Sequence, residues 1–267
     1  MRYLEIQTKT VLAVFFLLTF SSCAISFDTN RYKVFRDDAL QFNRNQELDT
    51  LRIDSFNGEV TLVTGEDNAT LQGVAKTWAY GKNEDQAHKR LSKMEWVFTT
   101  NGNTLNLKLK GNNGGSHLTE LKVPAKWNLD VDTGNGRITI PAGFKNINAQ
   151  SSNGAIFIVG GDRIEADTSN GRIEYNGSSP DFNLDTSNGK VRVQLNGNWQ
   201  GNGTVHSSNG RLSVVSSGII DARVKSSTSN GKTSIYGPKL SKTSGTGKLS
   251  LITNNGHINI THGVSVQ

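Results

Sequence analysis

Two aspartates recur at the same place in neighbouring copies of a repeated sequence. Asp167 precedes the Asn-Gly pair of "DTSNGRI", and Asp185 precedes that of "DTSNGKV". In each copy a basic residue, Arg172 or Lys190, follows the glycine directly. If the copies lie side by side, the two carboxylates come close enough for one pKa to rise. Paired carboxylates can hydrolyse glycosidic bonds, so a glycan-cleaving site is one hypothesis.

The rest of the sequence argues against an enzyme. Asp132 occupies the equivalent place in an earlier copy, but Gln150 interrupts the row. The stretch "TSGTGKLS" resembles a phosphate-binding loop, yet the first glycine of that motif would fall at Lys242 and Leu249 replaces its Ser or Thr. We therefore predict a protein without catalytic residues and without a cofactor.

The histidines do not indicate a metal site. His257 and His262 are five positions apart. On one strand they would face opposite sides, because successive side chains alternate. We predict no metal.

Basic residues form a second candidate site, because one follows the glycine in most copies. If the copies stack, these residues form a row of cations about 5 Å apart, here called the basic stripe. Such a row can bind a polyanion with salt-sensitive affinity. The alternative is a solvated edge that discourages sideways pairing of sheets. The residues predicted for polyanion binding are Arg137, Arg172, Lys190, Arg211, Lys232 and, from the degenerate copy, Lys248; Ala155 and His257 occupy the same place in two other copies.

The Asn-Gly pairs recur with a nearly constant period. Their glycines are spaced by 18, 17, 18, 21 and 21 residues. A period near twenty residues indicates stacked repeats. The residues predicted to form the ladder and the corners are Asn135, Gly136, Asn153, Gly154, Asn170, Gly171, Asn188, Gly189, Asn209, Gly210, Asn230 and Gly231.

Two folds compete to explain this repeat. Asn-Gly is typical of type I′ hairpins, so a sandwich or meander of hairpins is one interpretation. A hairpin explains neither the Ser or Thr that precedes most of the pairs nor the constant period. In a β-solenoid, residues of equal phase stack, asparagine amides can form a hydrogen-bonded ladder, and glycine permits the positive φ of a corner. Eighteen residues at about 3.3 Å each give a perimeter of about 60 Å.

We therefore predict an all-β, single-stranded, right-handed, three-sided β-solenoid over residues 48–267, with Asn-Gly repeats over about 128–260. Alternation places Ala166, Thr168, Ile173 and Tyr175 inside the coil, and Asp167, Arg172 and Glu174 outside. One helix, over about 83–96, is inserted near the N-terminus. There Asn83 can cap and Gln86 occupies the capping-box position.

The first residues have the order of a secretory signal peptide: Arg2 and Lys9, then the apolar run "VLAVFFLLTF", then "SSC". That run is too short to span a bilayer. The segment is similar to a bacterial lipobox, although Phe20 stands where an aliphatic residue is usual. The similarity implies cleavage after residue 22 and lipidation of Cys23, the one cysteine of the chain. The alternative is an ordinary signal peptide with an incidental cysteine.

The predicted mature chain begins at Cys23 with a spacer over residues 23–47. Ala24 follows the cysteine, and by resemblance to lipoprotein sorting signals this favours the outer membrane. Loss of residues 1–22 lowers the formal charge only from +6 to +5. The basic character, which favours anionic partners, therefore belongs to the mature protein.

The lipobox-like leader, the strand-rich start with one helix and the serial "TSNGRI" copies together resemble a bacterial family of β-solenoid domains. The family is labelled putative adhesin and is otherwise of unknown function. The resemblance covers roughly residues 48–267, and it brings no catalytic residues with it.

We expect a non-enzymatic cell-envelope lipoprotein, an adhesin or scaffold module that presents stacked β faces. The alternatives are a polyanion- or glycan-binding module that uses the basic stripe, and a glycan-cleaving enzyme. The expected partners are the membrane, through the lipid anchor, and an envelope glycolipid, glycan or protein. An exported lipoprotein is not expected to meet nucleic acid. The ends of a solenoid expose unpaired strands, so two copies can associate end to end.

Overall fold

A computed structural model describes residues 19–20, 26–28, 31–43, 47–67, 70–237 and 247–263. The elements up to the repeat region are β1 Thr19–Phe20, β2 Ser26–Asp28, β3 Arg31–Phe42, β4 Thr50–Asn57, β5 Val60–Gly65, β6 Leu71–Gly81, α1 Glu84–Leu91, β7 Glu95–Asn101, β8 Thr104–Lys110 and β9 Gly114–Pro124. The repeat region contains β10 Asn128–Asn135, β11 Ile138–Ile140, β12 Asn146–Ser151, β13 Ile156–Val159, β14 Arg163–Thr168, β15 Ile173–Gly177, β16 Asp181–Thr186, β17 Val191–Leu195, β18 Asn202–Ser207, β19 Leu212–Ser216, β20 Ala222–Thr228, β21 Thr233–Tyr236, β22 Gly247–Thr253 and β23 Ile258–His262.

The strands form two sheets. Sheet 1 has the order β1-β3-β6-β9-β5-β11-β13-β15-β17-β19-β23-β21, with β2 also paired to β3, and sheet 2 has the order β20-β22-β18-β16-β14-β12-β10-β4-β8-β7. From β10 onward, consecutive strands lie in different sheets and each pairs in parallel with strands of neighbouring repeats. The all-β class and the parallel stacking are confirmed, and the repeats are not hairpins. The right-handed sense and the three sides stay predictions.

One repeat is a coil: a strand of sheet 2, an Asn-Gly corner and a strand of sheet 1. At each corner the asparagine Nδ2 donates to the asparagine Oδ1 of the adjacent coil, over 2.6 to 2.9 Å. At one end of this ladder, Asn57 donates to the carbonyl of Gly114. In spatial order the ladder consists of Asn57, Asn135, Asn153, Asn170, Asn188, Asn209, Asn255 and Asn230.

From Asn135 onward, the Ser or Thr two positions before each of these asparagines forms a second ladder inside the corner, whereas the buried Ser55 hydroxyl, two positions before Asn57, has no hydrogen-bond partner among the described residues. The hydroxyl of Thr186, for example, donates to the carbonyl oxygen of Gly171 in the adjacent coil over 3.0 Å. Each hydroxyl satisfies a corner carbonyl that the strand ladders leave unpaired, which explains why the position is polar although it faces inward. The donors are Thr133, Ser151, Thr168, Thr186, Ser207, Thr253 and Thr228.

The expected reason for the corner glycines was wrong. Among the glycines that follow the ladder asparagines, a positive φ occurs at Gly58, at 124°, and not at Gly136 or its later equivalents. Instead, a Cβ on Gly189 would lie 1.7 Å from the carbonyl oxygen of Gly171. The other copies from Gly136 onward show the same conflict, at 1.6 to 1.9 Å. Glycine is therefore required because the corners of successive coils approach too closely for any side chain.

The coil interior is filled as alternation predicts. Ala166, Thr168, Ile173 and Tyr175 are buried, and the matching residues of neighbouring coils pack on them. In three coils, aromatic rings fill the part of the interior farthest from the Asn-Gly corner. The Phe182 ring lies between those of Tyr175 and Trp199, with its centroid 5.6 Å from the first and 5.4 Å from the second. The Trp199 Nε1 donates to the carbonyl of Ser179, so its polar edge is satisfied.

The coils do not stack in chain order at either end. The coil β22–β23 comes last in the chain yet lies between β18–β19 and β20–β21. Its inward residues are mostly apolar, whereas the outermost coil has inward-facing Ser226, Thr228 and Thr233. Placing the more polar coil outermost exposes less apolar surface to water. At the other end, β8–β9 lies outside β4–β5 in the same manner.

The N-terminal end of the stack is covered by antiparallel strands. β3 and β6 extend sheet 1 beyond β9, and β7 extends sheet 2 beyond β8. Part of the predicted spacer is thus in the fold, since β3 has buried Val34 and Leu40. β1 falls within the predicted leader, while Cys23 lies outside the described residues.

Helix α1 begins as predicted but ends earlier. The Asn83 side chain accepts from the Gln86 backbone N–H, and the Gln86 side chain accepts from the Lys82 N–H. The helix stops at Leu91 rather than near residue 96, because Glu95 already pairs with Lys110 in the β7–β8 hairpin. No helix within the described ranges has the length and hydropathy needed to cross a bilayer.

We predict that Thr186→Val lowers the free energy of unfolding by about 1–2 kcal/mol, because it removes a buried donor and leaves the Gly171 carbonyl unpaired. The midpoint of urea unfolding measures the change. Thr204→Val, the same substitution at an exposed position of β18, is the control and should have little effect. Equal shifts for the two variants would contradict the role of the hydroxyl ladder.

Candidate functional site

The basic stripe runs along the corner where the chain enters sheet 1. The backbone N–H of Ile173 donates to the Lys190 carbonyl, and that of Val191 donates to the Arg211 carbonyl, each over 3.0 Å. These bonds hold side chains of successive coils in register, one strand spacing apart, about 4.8 Å. In spatial order the stripe contains Arg137, Ala155, Arg172, Lys190, Arg211, His257 and Lys232.

Lys248 does not belong to the stripe, and this part of the sequence prediction was wrong. It lies at the start of β22 in sheet 2, in register with Asn202 and Arg223. The corner of that coil is formed by Asn255 and Gly256 instead. Its stripe position is therefore held by His257, whose Nδ1 accepts from the Lys232 backbone N–H.

The N-terminal half of the stripe is neutralised. Arg137 pairs with Glu59 at 3.5 Å, and Arg172 pairs with Glu174 at 3.3 Å. Both guanidinium groups also lie over the ring of Phe157, 5.6 and 5.0 Å from its centroid. Phe157 thereby fills the space in the basic stripe where Ala155 provides no cation. The two arginines are held in place by contacts within the protein.

The C-terminal half of the stripe, defined here as Lys190, Arg211, His257 and Lys232, is not neutralised. All four side chains are exposed. Among the described residues, no carboxylate lies within 4.0 Å of the three basic ones. Arg192, two positions after Lys190, adds a further exposed cation on β17. This half therefore presents uncompensated positive charge over four successive coils.

The predicted aspartate row lies on the outer face of sheet 2. Asp132, Gln150, Asp167, Asp185 and His206 follow one another in register. The pKa of Asp167 is raised, first by burial and then by Asp185 and Glu165. The pKa of Asp132 is raised by burial and by the carboxylates of Asp54 and Asp130.

The aspartates do not form a constellation with the stripe. His206 Nδ1 lies 3.1 Å from both carboxylate oxygens of Asp185. Arg172 pairs with Glu174 rather than with Asp167. The two carboxylates are therefore brought together, but among the described residues neither Arg172, which is paired with Glu174, nor Lys190 forms an ion pair with them.

The two histidines face opposite ways, His257 exposed and His262 buried. In the part of the chain that the structure describes, no cluster of three or more His, Cys, Asp or Glu side chains could hold a metal ion.

A shallow groove on the outer face of sheet 1 was missed by the sequence reasoning. Its volume is about 250 Å³, and it lies two to four residues beyond the stripe on three successive coils. Alternation marks these positions as outward, but nothing in the sequence shows that they adjoin. The side chains that line it are Phe157, Val159, Glu174, Asn176, Arg192 and Gln194.

Comparison with known proteins finds distant structural neighbours. No protein-family model and no curated protein matches the chain. A crystal structure described as a putative adhesin from Bacteroides fragilis aligns over 86% of this chain and 96% of its own, with 11% identity and a TM-score of 0.38. One described as a putative cell adhesion protein from Clostridium sporogenes aligns over 85% and 99%, with 13% identity and a TM-score of 0.30. Similarity this distant establishes neither a shared fold nor a shared function.

We predict that Asp167→Asn raises stability at pH 7 but not at pH 3. A raised pKa means that the folded state holds more protons than the unfolded chain just above pH 4, so stability falls as the pH rises through that window. Solvent exposure limits the gain to a few tenths of a kcal/mol, about 1 °C in the melting temperature. Thermal unfolding across pH 3–7 measures it, with exposed Asp162→Asn as the control. A loss of stability at pH 7 would contradict the repulsion among these carboxylates.

Proposed function

We propose that the protein is a non-enzymatic adhesin or scaffold module of the cell envelope that holds an anionic partner along the C-terminal half of the stripe. The observation that supports this most is the register of Lys190, Arg211 and Lys232, which are exposed and lack an ion-pair partner in the described chain. The N-terminal half shows that this sequence can neutralise a stripe residue. The absence of such pairs further along supports a binding surface over a merely solvated edge.

The geometry suits a polymer better than a single ion. Lys190 and Arg211 lie one coil apart, about 4.8 Å, and Lys232 lies two coils beyond Arg211 because His257 occupies the coil between them, and backbone hydrogen bonds fix this row. Because the row is rigid, little conformational freedom is lost when several anionic groups bind at once. Binding of this kind is fast and sensitive to salt.

The anchor belongs to the same proposal. Lipidation of Cys23 would attach the chain to the outer membrane, and the first strand of the predicted mature chain, β2, begins three residues after it, at Ser26. The proposal includes no end-to-end assembly. The outermost coil has Arg223, Lys225 and Lys232 near its edge, and such charges discourage strand pairing between copies.

We predict that the triple variant Lys190→Glu, Arg211→Glu, Lys232→Glu binds dextran sulfate at least about tenfold more weakly than wild type at low salt, because charge reversal repels the polymer. Fluorescence anisotropy with labelled polymer, at 50 and 500 mM salt, measures this.

The matched control is Arg223→Glu, Lys225→Glu, Lys248→Glu, which makes the same change in net charge on the outer face of sheet 2. It should change the affinity less than about threefold, through long-range charge alone. If both triple variants lose affinity equally, net charge rather than the stripe governs binding, and the proposal fails.

The anchor is tested separately with Cys23→Ala in the full-length chain. We expect wild type to be cleaved after residue 22 and to carry acyl mass on its new N-terminus, and the variant to be neither cleaved there nor acylated. Mass spectrometry and membrane fractionation measure this, with Ser22→Ala as the control. Processing and membrane retention of the cysteine variant as in wild type would overturn the lipid anchor.

A further inference from the structure

The groove on sheet 1 has an apolar side on β13 and a polar side on β17, with Glu174 and Asn176 of β15 between them. Phe157 and Val159 project from β13 on the outer face, and Val159 is 42% exposed. Outward positions of a solvated sheet are usually polar, so adjoining apolar groups at one place mark a contact surface. The arginines on either side of Phe157 hold its ring in position.

The polar part of the groove consists of the Asn176 amide on β15 and the Gln194 amide and Arg192 cation on β17. The Asn176 Oδ1 accepts a hydrogen bond from the Asn196 Nδ2, and within the described chain the Asn176 Nδ2 donates none. Within the described chain, the side-chain amide of Gln194 makes no hydrogen bond, and exposed Arg192 makes no ion pair. Amide groups can donate to and accept from hydroxyls, while Arg can grip a carboxylate with two hydrogen bonds.

The groove opens beside the cations of the C-terminal half of the stripe. Lys190 lies two positions before Arg192 on β17, and Arg211 occupies the adjacent coil. A ligand in the groove would therefore place its anionic groups along the same row that the proposed function uses. Glu174 does not oppose this, because its carboxylate is paired with Arg172.

We propose that this groove holds a sugar ring of a carboxylated polysaccharide, and that the chain continues along Lys190 and Arg211. The inference rests on the proposed function and narrows its ligand. A sugar ring has an apolar face for Phe157 and Val159 and hydroxyls for Asn176 and Gln194. A phosphate polymer would use only the cations. Lys190 and Arg211 lie one coil spacing apart, about 4.8 Å, so carboxylates on successive sugars of the polymer can reach them in turn.

The test compares three polymers with the intact protein. Polygalacturonate carries one carboxylate per sugar, its fully methyl-esterified form carries none, and polyphosphate carries charge without sugars. For wild type we expect tight binding of polygalacturonate, weaker binding of polyphosphate and no measurable binding of the ester. Equal affinity for the ester and the acid would overturn the inference.

The variants separate the groove from the stripe. Gln194→Ala and Val159→Ser should each weaken polygalacturonate binding about fivefold to tenfold, and should leave polyphosphate binding unchanged. Gln150→Ala, the same change as Gln194→Ala on the outer face of sheet 2, is the control and should affect neither polymer. All three positions are at the surface, and melting temperatures check that the variants fold.

The possible failures are distinguishable. If wild type binds both charged polymers but the groove variants weaken neither or weaken both equally, the groove has no role and the basic stripe stands. If wild type binds neither charged polymer, the proposed function fails and the groove inference fails with it.

Discussion

The structure depends on how closely successive coils approach at the Asn-Gly corner. A Cβ on the corner glycine would lie less than 2 Å from a carbonyl oxygen of the neighbouring coil. That contact fixes the phase of each coil against the next, because a shift of one residue would bring a side chain into the gap. The hydroxyl inside the corner then pairs with the carbonyl that is brought so near, and the asparagine outside it extends the amide ladder. Steric, polar and register requirements are thus met by three neighbouring residues.

A fixed phase has a direct consequence for charge. Because the corner sets the register, the residue after each glycine is placed in one row, and the residue three before each asparagine in another. The molecule therefore carries an acidic row on sheet 2, just before the corner, and a basic row just after the corner. Local pairs modify both rows: Glu59 and Glu174 neutralise one end of the basic stripe, and His206 meets Asp185 at one end of the acidic row. The uncompensated segment is what makes the stripe a candidate for binding.

The ends of the stack follow a different constraint, which is exposure to water. A coil at the end has one face without a neighbour, so its inward residues must tolerate solvent. The chain satisfies this requirement because its more polar coil, β20–β21, lies outermost. The coil β22–β23, which follows it in the chain, lies beneath it. At the opposite end, antiparallel strands continue both sheets beyond the last coil, and α1 packs on β3 and β6. Because of the inserted coil, Lys232 is a neighbour of His257 and not of Arg211 in the stripe.

The sequence by itself determined the repeat, the all-β class, the inward and outward alternation around Asn170, and the basic row of Arg137, Arg172, Lys190, Arg211 and Lys232. These follow from period and side-chain alternation, which act locally and are visible in one copy of the repeat. Only the tertiary structure decided the order of the end coils, the place of Lys248 in sheet 2 and the pairing of Arg172 with Glu174. It also decided the groove at Phe157, and it showed that the corner glycines are required because successive coils approach so closely. Each of these depends on which coil lies beside which, and on the distance between them. Residues far apart in the chain settle those relations through packing, so no single stretch of sequence contains them.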